Sequence, residues 1–419
     1  MSPNLLIALL AVPGLFLAAY GLYFAGIALF GLRRRAHYEP AAPKTRFAVV
    51  IAARNEEAVI GNLIASLRHQ SYDASLVDIF VVADNCTDRT AAVAAEAGAT
   101  VLERFDKVLV GKGYALAWLL RHIDRSRYDA FFVFDADNVL DEHYIEEMNR
   151  TFSDGYPIVT SYRNSKNYGD NWISAGYALW FLRESRYLND ARMRLGTSCA
   201  VSGTGFLFSR EVIEETGGWN FFLLTEDIEF TVHHVCAGKT IGFCRDAVLY
   251  YEQPVTFLQS WHQRLRWAKG YLQVFRRYGT ELVRGMLHGS FSCFDMGMCI
   301  MPAAVLSIGG LLLNLAALGL SVLRGQPAGV ALLSAAELLL NSCATLFVIG
   351  LITTATEWRH IYAPAWKKVL YAFTFPLFML TYIPISLTAL VQRRVGWKPI
   401  VHQRAIALDQ IRAGADRSA

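Results

Sequence analysis

The chain has 419 residues, of which 54% are hydrophobic and only 18% charged; that is too apolar for an ordinary soluble enzyme and long enough for one catalytic domain plus a membrane part. A net charge of +4, with no dense Lys/Arg stripe interleaved with aromatics, argues against a nucleic-acid partner. The seven cysteines (Cys86, Cys199, Cys236, Cys244, Cys293, Cys299, Cys343) are scattered with no CxxC pair, so neither a zinc site nor a disulfide framework is indicated, which fits a reduced cytosolic domain.

In chain order, Leu5 to Leu32 comes first and is almost uncharged. It exceeds the ~20 residues that span a bilayer. No basic residue precedes the apolar run and it is too long for a signal peptide. Arg33-Arg34-Arg35 follow at once. Positive flanks stay in the cytoplasm, so residues 1–35 read as an N-terminal transmembrane helix that leaves the next domain inside.

Residues 36–285 have globular composition. Phe47 to Ala52 is a buried-strand run, and Asn55 to Gln70 follows with Val59, Ile60, Leu63, Ile64 and Leu67 on one helical face. Asp78 to Ala83 is a second strand. A helix over Thr90–Ala97 ends at Gly98. Ala130 to Phe134 is a third strand, ending at Asp135. This alternation predicts an α/β domain with a mostly parallel sheet and right-handed crossovers. Ligands of such sheets bind beyond the carboxyl ends of the strands. The polar clusters 53–57, 84–88 and 135–137 fall there, which supports a nucleotide pocket. No GxGxxG or GxxxxGK[ST] string is present, so neither a dinucleotide fold nor a P-loop is indicated.

Residues 286–404 read as interfacial helices and about three transmembrane helices, near Met298–Leu323, Gly329–Ala355 and Val369–Val391. The mixed aromatic and basic run from Glu357 to Lys368 suits the cytosolic interface, and 290–298 reads as another such segment. Three spans after a cytosolic domain place the C-terminus outside, whereas the basic 392–394 and 398–404 argue for inside. Pro376 and Pro384 make the last span the candidate for irregularity. A polar tail, 405–419, closes the chain.

Four groups of residues carry chemistry. Asp135 and Asp137 flank one small residue at a strand end, a placement that holds a hard divalent cation against a diphosphate; ordinary strand-to-loop turns also produce DxD strings. Asp227, in Thr225-Glu226-Asp227 after the apolar run 221–224, is placed as a general base in a partly apolar setting; helix capping by Thr225 with first-turn acids is the plainer alternative. Gln263 and Arg266 share a helical face. Arginine grips a pyrophosphate with forked hydrogen bonds, and Trp267 beside it offers a flat apolar surface. Asp84 follows the second strand, while Asp88 suits a helix cap.

In this order, on a chain with apolar spans at both ends, these residues resemble the D, DxD, (T)ED, QxxRW series of processive family-2 (GT-A) membrane glycosyltransferases, which include cellulose, β-glucan, chitin, hyaluronan and capsule synthases. The resemblance covers nearly the whole chain. It implies a GT-A fold, a Rossmann-like mixed sheet, facing the cytosol of a bacterial-type plasma membrane in a multi-pass protein. It implies that Ala53, Glu56, Asp84, Lys112, Asp135, Gln263 and Arg266 bind the nucleotide sugar. Asp137 with Asp135 would hold Mg²⁺ or Mn²⁺. Asp227 with Glu226 would serve catalysis. Thr225, Trp267 and the small-residue loop Ser202-Gly203-Thr204 would line the acceptor site. For Glu56 a first-turn helix carboxylate, and for Lys112 a solvated loop lysine, are the competing readings. Trp397 to His402 would act like the family's gating loop.

The function so implied is inverting, processive polymerisation of a UDP-sugar, foremost UDP-glucose, into a β-linked polysaccharide that is both growing acceptor and cargo crossing the lipid bilayer. Heteropolymer synthesis with glucuronate or N-acetylglucosamine, and transfer of one sugar to a membrane lipid, are the alternatives. A non-catalytic scaffold is disfavoured by the intact Asp84, Asp135, Asp137, Asp227 and Arg266. A transporter is disfavoured because the spans lack ionisable clusters, with Asp295 and Glu337 the acids to watch.

Overall fold

The computed structural model describes residues 3–32, 41–42, 44–300, 329–393, 395–396, 406 and 408–416, together with positions 309, 312, 316, 319 and 323. After helix α1 (Pro3–Phe30) the chain runs through β1 (Phe47–Ala53), α2 (Ile60–Arg68), β2 (Val77–Asp84), α3 (Thr90–Glu96), β3 (Thr100–Arg104) and α4 (Lys112–His122). Then follow β4 (Ala130–Asp135), β5 (Val139–Leu140), α5 (Tyr144–Ser153), β6 (Ile158–Ser165) and α6 (Trp172–Arg183). A π-helical segment, Glu184–Asn189, leads into α7 (Asp190–Leu195). The domain closes with β7 (Phe206–Ser209), α8 (Arg210–Glu215), α9 (Glu226–Cys236), β8 (Ile241–Tyr251), α10 (Phe257–Leu287) and α11 (Phe291–Ile300).

The described strands form one mixed sheet, ordered β3-β2-β1-β4-β7-β6-β8-β5. β3, β2, β1 and β4 are parallel, and β7 joins β4 and β6 antiparallel. The parallel half is apolar on both faces because helices cover both. Side chains alternate across it. Ala48, Val50, Phe131 and Val133 pack with Leu116, Leu119 and Leu120 of α4, with Leu179 of α6 and with Phe230 of α9. Phe47, Val49, Ile51, Phe132 and Phe134 pack with Ile60, Leu63, Ile64 and Leu67 of α2 and with Tyr144, Ile145 and Met148 of α5. The strand–helix alternation read from the sequence is therefore present, as a GT-A half with an antiparallel extension.

One expected helix begins later than its periodicity suggests. α2 starts at Ile60, not Asn55. Asn55 is left-handed at φ 56°, and its Oδ1 accepts from the Thr87 N–H at 2.8 Å. The Glu56 N–H donates to Thr90 Oγ1 at 2.8 Å. These side-chain bonds to the neighbouring loop compete with a helical start and make 55–59 a turn over the sheet edge, so Glu56 is not a first-turn helix carboxylate.

The C-terminal helices are α12 (Gly329–Thr356), α13 (Ala365–Leu380), α14 (Tyr382–Val391) and α15 (Leu408–Asp416). Ala335–Thr356 and Ala365–Val391 are long and apolar enough to cross a membrane, with mean hydropathies of 1.9 and 1.7. The expected single span Val369–Val391 is interrupted at Thr381 and lies along the catalytic domain. Lys367 Nζ donates to Gly169 O at 2.6 Å, Phe378 packs on Gly176 of α6, which has no Cβ to obstruct it, and Lys269 of α10 donates to Ala389 O at 3.0 Å. The turn before it is anchored as well. Glu357 is buried and accepts from the Tyr162 hydroxyl at 2.5 Å, and Asn164 donates to His360 O at 2.8 Å. Arg33–Arg35, most of the expected span Met298–Leu323, and the expected gating segment Trp397–His402 lie outside the described residues.

Candidate active site

A cavity of about 860 Å³ opens at the carboxyl ends of β1, β2 and β4. Ala53, Glu56, Asp84, Lys112, Asp135, Asp137, Gly203, Thr204, Thr225, Glu226, Asp227, Gln263, Arg266 and Trp267 all line it. The motifs, far apart in sequence, thus converge on one volume. Ser202 does not line it; its hydroxyl turns away and donates to Glu184 at 2.5 Å.

At the β2 end Ala83 is part of the core, and the carboxylate on the cavity is that of Asp84. Asp84 is buried and receives Arg104 Nη1 at 2.5 Å. Arg104 also donates to Asp106 at 3.1 Å and to Leu109 O at 2.6 Å, which ties the 105–111 loop to the same corner. Asp88, by contrast, accepts from the Thr90 N–H at 3.0 Å and so acts as the helix-start residue its position suggested.

At the end of β4 the two aspartates are differently held. Asp135 Oδ1 accepts from Lys112 Nζ at 2.5 Å. Asp137 accepts from Asn138 Nδ2 at 3.1 Å and from the Glu252 N–H at 2.9 Å, and its backbone carbonyl accepts from buried Lys166. Thr204 Oγ1 accepts from the Asp135 N–H at 2.8 Å and donates to Asn138 at 2.5 Å. The loop that sequence reading assigned to the acceptor therefore also fixes the DxD turn. Among the described residues no group of three or more His, Cys, Asp or Glu side chains stands ready for a metal. A pair of carboxylates is nonetheless the donor set on which Mg²⁺-type cations rely when substrate phosphates complete the shell. Asp135 and Asp137 fit that requirement.

Lys112 bridges the two halves of the site. Its Nζ also donates to Gly203 O at 2.7 Å and lies 3.9 Å from Glu226 Oε1. Burial pulls its pKa down, but the Asp135 and Glu226 charges outweigh this and hold it above the ordinary lysine value. It is not a solvated loop lysine. Gly113 beside it lies against the Phe221 carbonyl, where a Cβ would overlap.

Glu226 and Asp227 open α9. Thr225 stands at the cap position without a capping bond, and its hydroxyl is buried with no hydrogen-bond partner; the plain capping reading fails for its side chain. Burial pushes both acids up, Glu226 to about 7, against the opposing Lys112 and Arg266 charges. For Asp227 the backbone N–H groups of Ile228 and Gly203 also oppose the rise.

α10 brings Gln263, Arg266 and Trp267 to the opposite wall. Arg266 Nη1 donates to Leu224 O at 3.0 Å. Trp267 meets Tyr177 and Phe181 edge-on, with centroids 5.7 and 6.0 Å apart, which fixes the plane of the indole. Sequence reading missed Arg163, which also lines the cavity. It donates to Ser202 O at 2.6 Å and Glu184 at 3.1 Å and lies 4.1 Å from the Phe181 ring centroid. It missed Arg104 and Glu184 too. None belongs to a motif; only a π-helical bulge, a feature that recurs at functional sites, marks Glu184. Gln392, Val395 and Gly396, just beyond α14, complete the wall.

Comparison with known proteins identifies the family and the fold. The chain is similar to β-monoglucosyldiacylglycerol synthase of Synechocystis (26% identical over 242 residues, 56% of this chain and 50% of that one). It is also similar to the poly-β-1,6-N-acetyl-D-glucosamine synthase of Staphylococcus epidermidis (25% over 238 residues, 54% and 55%). The chain spans about half to two thirds of the length of such curated relatives. Among solved structures it resembles the mannosyltransferase PcManGT from Pyrobaculum calidifontis in complex with GDP-Man and Mn²⁺, with TM-score 0.56 and 18% identity, covering 93% of this chain and 100% of that one. The family described as "Glycosyltransferase like family 2" matches residues 43–270, more than half of the sequence, and the chain belongs to it: it is a family-2 glycosyltransferase with a GT-A domain.

Proposed function

We propose that the enzyme transfers a hexose, foremost glucose, from a UDP-sugar to the hydroxyl of a membrane-held acceptor, with inversion. Asp227 takes the acceptor proton as the hydroxyl oxygen attacks the anomeric carbon. The glycosyl–phosphate bond breaks, and UDP departs with the bonding electron pair. Lys112 and Arg266 face the diphosphate, and Asp84, Ala53 and Glu56 form the nucleoside end. Asp135 and Asp137 would hold a divalent cation, Mg²⁺ or Mn²⁺, which when bound neutralises charge on the departing diphosphate. The observation that carries this reading is the half-buried Asp227, its proton affinity raised, in one cavity with Lys112, Asp135 and Arg266.

For the acceptor we favour a membrane lipid. Both lips of the cavity are apolar and exposed: Val110 at 37% on one side, Val255 at 37% and Leu258 at 66% on the other. A lipid with a free hydroxyl presented from a bilayer meets such lips without exposing its chains to water. A monoglucosyldiacylglycerol synthase among the relatives supports this. The second reading is processive extension of a β-glucan, which the intact QxxRW series and the N-acetylglucosamine polymer synthase relative favour.

The test is incubation of detergent-purified protein with UDP-glucose, UDP-glucuronate and UDP-N-acetylglucosamine, singly and in pairs, with Mg²⁺ or Mn²⁺ and diacylglycerol vesicles. Lipid-sized product that depends on the vesicles supports the lipid acceptor. High-mass product digested by linkage-specific glucanases moves the polymer reading first. No UDP release from any donor overturns both.

A further inference from the structure

Within the Gln263-Arg264-Leu265-Arg266-Trp267 run, Arg264 is the one side chain that does not line the cavity. It is fully buried. No carboxylate pairs with it among the described ion pairs, and its Nε and Nη2 have no hydrogen-bond partner. Burying an unpaired guanidinium is costly, so the fold retains it against a penalty. Its guanidinium carbon lies 5.9 Å from the ring centroid of Tyr177 on α6, and its closer contacts lie where α13 gives way to α14. Nη1 donates to Phe378 O at 3.0 Å and to Thr381 Oγ1 at 2.6 Å. The guanidinium carbon lies 4.4 Å from the Phe378 ring centroid and 4.9 Å from that of Tyr382, distances at which a desolvated cation gains from aromatic rings.

The interruption at Thr381 supplies the acceptors. Thr381 Oγ1 itself donates to Phe378 O at 2.6 Å, so the hydroxyl and the carbonyl that receive Arg264 are also joined to each other. One turn further, Leu265 packs with Ile385 and Ala389, and Lys269 reaches Ala389 O at 3.0 Å. Three residues beyond Ala389 the chain reaches Gln392, and with Val395 and Gly396 it forms the C-terminal wall of the cavity. The alternating faces of α10 therefore divide the work: Gln263, Arg266 and Trp267 face the cavity, and Arg264 faces the helix that carries the wall.

We propose that Arg264 is a positioning residue that fastens α13–α14 to the catalytic helix and so holds Gln392, Val395 and Gly396 at the wall of the donor pocket. This rests on the donor pocket proposed above. Removing the clamp loosens a wall of the binding site but leaves Asp227, Lys112 and Arg266 in place. Donor binding suffers, and the chemical step of bound donor does not.

The experiment uses the full chain in detergent. UDP affinity is measured by calorimetry with Mn²⁺, turnover by UDP release, and the 392–396 segment is probed by trypsin cleavage at Arg393. Arg264→Met keeps length and removes the charge; Thr381→Val removes one acceptor at nearly constant volume and serves if the first variant does not fold. We expect UDP to bind roughly tenfold more weakly in Arg264→Met, with KM for the donor rising in parallel and kcat within about threefold of wild type. Trypsin should cut at Arg393 faster, and UDP should protect the wild type but not the variant. Arg264→Lys, which keeps a charge and one donor, should recover part of the affinity. Unchanged UDP affinity and unchanged cleavage in folded Arg264→Met or Thr381→Val would overturn the clamp, as would loss of kcat at unchanged KM. Wild-type protein that binds no UDP would instead overturn the donor reading.

Discussion

Asp227 is held between opposing influences: burial raises its proton affinity, while two backbone N–H groups and the Lys112 and Arg266 charges lower it. Burial, the largest of these influences, wins, so Asp227 holds a proton more readily than an exposed carboxylate and is the better general base for it. Asp227→Asn should reduce kcat by at least ~10²-fold with UDP affinity retained, measured by UDP release and calorimetry; a residual rate near wild type would remove Asp227 from its role. The pH dependence follows from the same pair. Glu226 and Asp227 are both raised, so both gain protons at higher pH than exposed carboxylates, whose value is ~4. Activity should therefore fall as pH drops through about 7, the value to which Glu226 is pushed. Glu226→Gln removes the coupled carboxylate, and the acidic limb of kcat/KM should move to lower pH. A limb that does not move would show that Glu226 is not part of the titrating pair.

Elements place these residues through short loops tied across the sheet. The loop 202–205 is the clearest case. Arg163 holds Ser202 O, Lys112 holds Gly203 O, Thr204 holds the β4 turn, and Gly205 bonds to both β4 and β6. Gly205 has φ 69°, and a Cβ there would overlap Leu249 and lie 2.8 Å from Ser161 Oγ. Gly205→Ala combines backbone strain with overpacking, each costing ~1–3 kcal/mol. A thermal melt should show a loss of several degrees, and turnover should fall with it because the same loop positions Lys112 and Asp135. An unchanged melting temperature would mean that the loop is not the rigid tie inferred from its bonds.

Across the whole molecule, apolar surface is turned outward along several helices. Leu332, Leu333, Leu339, Leu340, Leu351 and Ile352 of α12 are exposed, as are Trp366, Phe373 and Leu377 of α13. Exposed apolar surface of this kind suits a membrane or a protein partner. α13–α14 is tied to the catalytic domain near both ends, through Lys367 at its start and Ala389 near its end. Gln392, just beyond α14, lines the cavity, and the charge rule likewise puts the basic 392–394 on the side of the catalytic domain. A green fluorescent protein fused after Ala419 should fluoresce in cells, and alkaline phosphatase at the same point should be inactive. The reverse result would restore a third crossing after the domain.

The sequence by itself determined the alternation of strands and helices, the apolar segments, and most of the residues that meet in the cavity, though not Arg163. Strand cores such as Phe47–Ala53 are fixed by local burial, and the aspartates follow directly from where strands end. Tertiary structure decided what depends on distant partners. Asn55 to Val59 leave the helical pattern because Thr87 and Thr90 compete for their backbone and side chains. Ser202 turns from the cavity because Glu184, brought up by a π-helical bulge, accepts its hydroxyl. Arg104, Arg163 and Arg264 act through partners 20 to 117 residues away, separations at which no periodicity or spacing carries a signal. The last apolar segment has the composition of a span, but only the bonds at its two ends reveal which surface it lies against.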